Sequence, residues 1–221
     1  RWLMGVQGGV EWVPDNRLRA KVGLALYDYR NVSGERNPAG SSVTDGTQAV
    51  LRQKGNSVFD LRNPTITGAP LWGLAKDYRV LNLTAAVDYN LWNPVHLIVS
   101  GDYVRNIGFD AARTLARTGV KYDAEDTGYL VRVAVGMPQM LLKDDWQLSL
   151  AYRYLEADAV LDAFTDSDFH LGGTNSKGFI VGAQYGLSRN TWLSARWLSS
   201  REISGLPLSI NTFQVNFHAR F

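Results

Sequence analysis

With 221 residues, 45% of them apolar and 20% charged, the chain has the length of one β-barrel and is too hydrophobic for a disordered tail. Zero cysteines exclude a disulfide framework, a cysteine-ligated zinc site and a thiol nucleophile. The net charge of +2, from 23 basic and 21 acidic residues without a polybasic block, leaves no electrostatic footprint for nucleic acid, and no uncharged apolar run reaches the roughly 18 residues of a spanning helix.

The chain opens in Arg1-Trp2-Leu3 without a leader, so a processed protein or a fragment is expected, and residues 1–221 are read as a single domain. Its first segment alternates with period two: Trp2, Met4, Val6, Gly8, Val10 and Trp12 share one face, and Gln7, Gly9 and Glu11 share the other. Gly5, Gly8 and Gly9 lead into no helix and so form no phosphate cradle; they are expected to relieve crowding or receive a neighbouring ring. After a turn at Pro14 to Asn16, Leu18, Ala20, Val22, Leu24 and Leu26 alternate with Arg17, Arg19, Lys21 and Gly23. Such runs hold for about ten residues, the length of a tilted membrane-spanning strand and not of an average soluble one.

Seven more copies follow, near 78–91, 95–106, 127–137, 145–157, 178–187, 191–201 and 210–221. Their apolar stripes include Leu81 to Tyr89, Val95 to Tyr103, Tyr129 to Val135, Trp146 to Tyr154, Phe179 to Tyr185, Leu193 to Trp197 and Phe213 to Phe221, with aromatics gathered at the stripe ends. Tight turns at Pro14 to Asn16, Asn93-Pro94, Gln139 to Asp144 and Leu187 to Asn190 alternate with longer excursions at about 32–77, 107–126, 158–177 and 202–209. This is the short-turn, long-loop order of an up-and-down outer-membrane barrel, with the long loops outside the cell. The stretch Gln48 to Leu61 in the first long loop forms either a small hairpin or an inward constriction. A soluble β-sandwich also alternates, but its outward face should be dominated by Lys and Glu; here that face carries Gly, Ser, Thr, Asn, Gln and Arg, which suits a wet lumen.

Alternation places Arg17, Arg19, Lys21, Arg132, Arg153, Arg196 and Arg220 on the lumen face, against Glu11, Asp88 and Asp102. Two readings stay open: a basic ladder selecting anions, or arginines that pair with loop acids such as Asp123, Glu125, Asp126, Asp166 and Asp168 and hold loops in place. His96, His170 and His218 are too scattered for a catalytic triad and are read as ordinary solvated histidines, so no enzyme is expected. A metal shared by His96 and His218 lacks a third ligand, and Asp162, Asp166 and Asp168 lack the full calcium-loop pattern; neither a metal nor a cofactor is expected.

The terminal strand Asn211-Thr212-Phe213-Gln214-Val215-Asn216-Phe217-His218-Ala219-Arg220-Phe221 resembles the C-terminal assembly signal of bacterial outer-membrane barrels. Phe59-Asp60-Leu61-Arg62-Asn63, Val80 to Tyr89 and Gly101-Asp102-Tyr103-Val104-Arg105-Asn106 resemble the putative porin family of Gram-negative bacteria, in the C-terminal half of its members. The resemblance implies an outer-membrane diffusion channel for small hydrophilic solutes, with anion preference as the reading of the arginines. A structural or docking barrel of an envelope complex is the alternative. Outer-membrane lipid is the expected partner, with a homotrimer by analogy only. Nine strands leave the first and last running in the same sense. An all-antiparallel barrel needs an even count, so the segment is expected to be part of a larger barrel with at least one strand upstream of Arg1.

Overall fold

The computed structural model describes residues 2–38, 54–62 and 68–220. All nine expected long strands form: β1 (Trp2–Trp12), β2 (Leu18–Arg30), β5 (Tyr78–Trp92), β6 (Val95–Asn106), β7 (Thr127–Gly136), β8 (Trp146–Leu155), β9 (Ser176–Ser188), β10 (Thr191–Glu202) and β11 (Ser209–Ala219). They make one sheet in the order β1-β2-β5-β6-β7-β8-β9-β10-β11, every neighbour antiparallel, as a meander of hairpins dictates. Between β2 and β5 a short hairpin intervenes, β3 (Val58–Asp60) with β4 (Trp72–Leu74).

The register carries the sequence alternation across the whole sheet. Val6 faces Leu26, which faces Leu81; Val99 faces Val133, Leu150 and Val181 follow in the same row, and Val181 faces Trp197 and then Phe213. Paired residues share a face and the side-chain period is two, and the only register shifts are bulges at the short-turn ends, at Asn90–Trp92 and Thr191–Trp192, so no stripe has slipped; a slip would have moved it to the other side. This apolar face is bare: Val6 is 68% exposed, Leu150 53% and Phe213 70%. Nothing in the described chain covers it.

Aromatic residues bracket that face. Near the long loops Tyr103, Tyr129 and Tyr154 lie in one row, with the Tyr129 and Tyr154 rings stacked 5.3 Å apart and Tyr152 tilted against Phe179 at 4.9 Å. Toward the short turns Trp146 pairs with Tyr185. Charged residues of the same face sit at the loop ends of their strands, Asp28, Arg79 and Arg105 beyond the tyrosine row and Lys177 in it, opposite Tyr154.

The sheet is open. β1 and β11 are not paired with each other, and eight reversals of direction leave them running in the same sense, so they cannot join as an antiparallel pair. The barrel expected from the sequence is thus a long curtain of wall among the described residues. Of the Gln48 to Leu61 stretch, 48–53 lies outside the described residues, while Val58 to Asp60 does form half of a hairpin whose other half, Trp72 to Leu74, lies further along. The second long loop holds a helix the alternation did not announce, α1 (Ala111–Thr118). Asp110 caps its first turn by accepting from the Arg113 amide at 2.9 Å, and Gly119 ends it in the left-handed region.

Gly5 confirms the ring reading: a Cβ there would stand 3.1 Å from Cδ1 of its cross-strand neighbour Tyr27. Gly186 is tighter, since a Cβ would fall 2.1 Å from the Leu142 carbonyl oxygen, and its amide and carbonyl bind Asp145 and Asp144 across the turn before β8. Gly186→Ala is therefore expected to cost about 1–3 kcal/mol, as overpacking against backbone does; a urea midpoint equal to that of the wild type would contradict it.

Candidate functional site

The opposite, polar face is where the chain folds its own loops. Tyr78, Val80, Asn106, Ser176 and Ser200 fall on it by alternation, and all five are buried although they lie at strand ends. What buries them is a knot of three loop segments. Asp158, after β8, is fully buried and takes a 2.7 Å ion pair from Lys76 Nζ, itself 0% exposed. The Tyr78 hydroxyl donates to the same carboxylate at 2.7 Å, and the Ser57 amide and hydroxyl donate at 2.9 and 2.6 Å. Lys76 completes its donors on the Asp123 and Ala124 carbonyls and lies 4.6 Å from the centre of the Phe109 ring.

Around this centre the Asn56 side chain donates to the Ala157 and Val160 carbonyls and accepts from the Asp162 amide, and Asn106 donates to the Asp77 and Asp158 carbonyls. The hairpin β3–β4 contributes a small core of Phe59, Leu61 and Ala75 under Leu71 and Tyr122. Helix α1 is clamped to the same loop through Arg117, which donates to Asp77 at 3.0 Å and to the Ala75 carbonyl at 2.7 Å. Asp60 braces the hairpin. Burial works against its charge, but the Arg62 and Leu71 amides outweigh this and hold its carboxyl below the ordinary value.

The third long loop lies further along the polar face. Phe169 is fully buried, with the Arg153 guanidinium 4.9 Å from its ring centre. His170 and Leu171 both adopt left-handed backbone, a strained pair that the surrounding contacts must hold. His170 is 1% exposed, so it is not the solvated histidine expected. Its Nδ1 lies 3.0 Å from Ser200 Oγ, and its Nε2 is 3.8 Å from Glu202, which also pairs with Lys54 at 3.7 Å.

The sequence-predicted charges divide into five groups. Arg19 and Lys21 both lean on Glu11, at 3.0 and 3.6 Å, on an exposed stretch where such pairs contribute little. Arg196 pairs with the loop acid Asp168 at 2.8 Å, the loop-holding arrangement. Arg132 and Arg153 have no carboxylate within 4 Å among the described residues; Arg132 donates to the neutral Gln147 side chain at 2.9 Å. Asp88 is bound to His96 at 2.6 Å, and Asp102 accepts from Asn82 at 3.1 Å. Arg17 and Arg220 stand just outside their strands at the short-turn end, Arg220 with its guanidinium 5.8 Å from the Trp192 ring.

His218 stacks on Trp192 at 4.8 Å and 7° and reaches Ser194 at 2.9 Å, while His96 lies five strands away on β6. The two do not share a site. No group of three metal-ligating side chains converges among the described residues. The residues that sequence reasoning missed are those of the knot: Asn56, Lys76, Tyr78, Asn106 and Asp158. Their side-chain partners lie 47 to 118 residues away in sequence, or 27 to 52 for Asn106 apart from its contact with Gly108, and no local pattern announces such pairs. Helix α1 did have a signal, the capping aspartate at 110 and the glycine at 119.

The class follows from this geometry: a long-stranded antiparallel wall with a bare apolar surface on one side and, on the other, a polar surface over which its own loops fold. A family model described as putative porin matches residues 1–221, the whole chain, and the chain belongs to that family. No curated protein and no solved structure matches it.

Two outcomes test the loop packing. Asp158→Ala strands the Lys76 ammonium in a buried site and is expected to cost about 3–5 kcal/mol, read as a lowered denaturation midpoint. An unchanged midpoint would show the knot to be ornamental. His170 has its pKa pushed below the ordinary 6.5 by burial first and then by Lys54, with Glu202 opposing. The folded loop thus binds fewer protons than the unfolded one, so its attachment is complete above pH 6.5 and weakens as pH falls through the lowered value. Hydrogen exchange of residues 158–175, corrected for intrinsic rate, should accelerate below that pH, and His170→Asn should flatten the response.

Proposed function

We propose that the protein is an outer-membrane porin, a passive diffusion channel for small hydrophilic solutes that favours anions, with no catalytic step assigned to it. One observation carries the reading: below the charged loop ends, an apolar band runs across nine strands with nothing of the described chain on it, while the polar face is the one the loops cover. A soluble sandwich would bury the first face and expose the second. From Tyr154 to Trp146 the apolar stretch of β8 measures about 27 Å along the strand, and about 21 Å along the membrane normal at a tilt of roughly 40°. That is near the ~25 Å apolar band of such barrels, with aromatics at both borders.

In this reading the polar face lines the water path. The anion preference rests on Arg132 and Arg153, neither of which is ion-paired within 4 Å among the described residues although Asp166 lies near Arg153, more than on Arg19 and Lys21, which share Glu11. Closing the wall with antiparallel pairs throughout takes an odd number of further strands, from whatever source, because nine antiparallel strands leave the parity one short. A second reading, a plugged scaffold, is favoured by the loops packed over the polar face.

Ion flow separates the two. In planar bilayers the full chain should pass steady current, and across a KCl gradient the reversal potential should have the sign of anion preference. Replacing Arg132 and Arg153 together by glutamine should move it toward zero; cation preference in the wild type would refute the assignment, and absence of current would favour the scaffold. The face assignment has its own check. Val133→Arg or Leu150→Arg should cost about 2–4 kcal/mol in refolding into lipid vesicles, and a neutral result would place those residues away from lipid.

A further inference from the structure

On the polar face of β7 to β10, beneath the third long loop, lies a cavity of about 510 Å³ whose lining includes Arg132, Arg196, Asp166, Leu130, Ala151 and Ile180. Its size is that of a site for a small organic molecule. The register explains its make-up. Arg132, Ala151 and Ile180 lie in one cross-strand row, and Arg196 lies two residues lower with Gly182 and Ser149, about 7 Å along the strand. The glycine leaves the space between the arginine rows open, since a Cβ at 182 would come within 2.7 Å of Ser149 Oγ.

The two guanidinium groups are unlike. Arg196 is already engaged by a carboxylate, the side chain of Asp168 at 2.8 Å, which reaches in from the loop, and it also donates to Gln214 at 2.7 Å. Asp168 therefore holds, from outside the cavity lining, the Arg196 donor that the carboxylate of a solute would take. Arg132 has a single neutral acceptor, Gln147, so most of its five N–H donors are unspent and its charge is uncancelled. Beside them the lining offers an apolar patch of Leu130, Ala151 and Ile180, with Ser149, Ser194 and His218 as its polar members, and Asp166 adds one negative charge.

We propose that this cavity binds a monocarboxylate with a compact apolar body, whose carboxylate displaces Asp168 from Arg196. The proposal deepens the porin reading and rests on it, since the polar face must be the wet one. Arg132 supplies the attraction that draws the anion in, and the apolar patch takes the body of the molecule. Asp166 disfavours a second carboxylate. Because Asp168 adjoins Phe169 and the strained His170, its release loosens the loop that covers the cavity, so occupancy and loop position are linked.

The test uses benzoate as the probe, titrated calorimetrically into the full chain in detergent micelles at low ionic strength, with protein-free micelles as the blank. Benzoate should bind at least tenfold tighter than its neutral analogue benzamide. Arg196→Gln and Arg132→Gln should each weaken it tenfold or more, and Asp168→Asn should tighten it several-fold by removing the tethered competitor. The last variant leaves the wall untouched, so the proposal remains testable even if an arginine variant fails to fold. Hydrogen exchange at residues 165–171 should rise when benzoate is present. Equal binding of benzamide, or an Asp168→Asn variant with unchanged or weaker binding, would overturn the proposal. Conductance in KCl is an independent readout: current without benzoate binding sinks this site and spares the porin reading, whereas binding without current does the reverse.

Discussion

A pleated strand offers two faces and no third, and pairing obliges neighbouring strands to agree on which is which. This constraint organises the molecule. Once Val6, Leu26 and Leu81 share a row, every later hairpin must keep the same parity, and nine strands do so along their stripes, with bulges confined to the short-turn ends. All that distinguishes the two sides of the wall, including the aromatic borders, the bare aliphatic band and the arginines, is a consequence of that agreement. A single one-residue slip would turn a full stripe of valines and leucines toward the arginines.

The second level of order comes from the loops, and its physics is different. The wall is built from local pairings between consecutive strands, while the knot at its rim joins residues about a hundred positions apart, with Asn56 bound to Ala157 and Ser57 to Asp158. Burying Lys76 and Asp158 together is costly in desolvation, and their attraction offsets that cost only because Tyr78, Ser57 and two carbonyls satisfy the remaining donors and acceptors. Such a centre specifies one arrangement of the loops more than it adds stability.

The difference between these levels decides what could be read from the sequence. Strand positions were readable to within a few residues because period two is written in consecutive residues, and the alternation of Arg132 with Val131 and Val133 sets its face without any knowledge of its neighbours. Partners were not readable. Alternation left Arg196 and Arg132 as equals; only the fold of the third loop gives Asp168 to one and leaves the other with a neutral amide. His170 looked like any loop histidine because its burial depends on β10 and on Lys54 from a loop over a hundred residues earlier. Helix α1 escaped for another reason: eight residues are too few for a helical period to stand out beside long alternating runs, although its caps were visible.

The knot has a mechanical side. Because the Asp158–Lys76 pair fastens segments from three separate loops, the carboxylate holding Ser57 and Lys76 and the ammonium holding the Asp123 and Ala124 carbonyls, the rim above the polar face is one unit and not a set of independent flaps. A backbone cut in any one of these loops would leave its pieces docked, and a molecule gripping one loop from outside would pull on all three. The sensitivity of the rim is thus concentrated at a single ion pair that no solvent reaches.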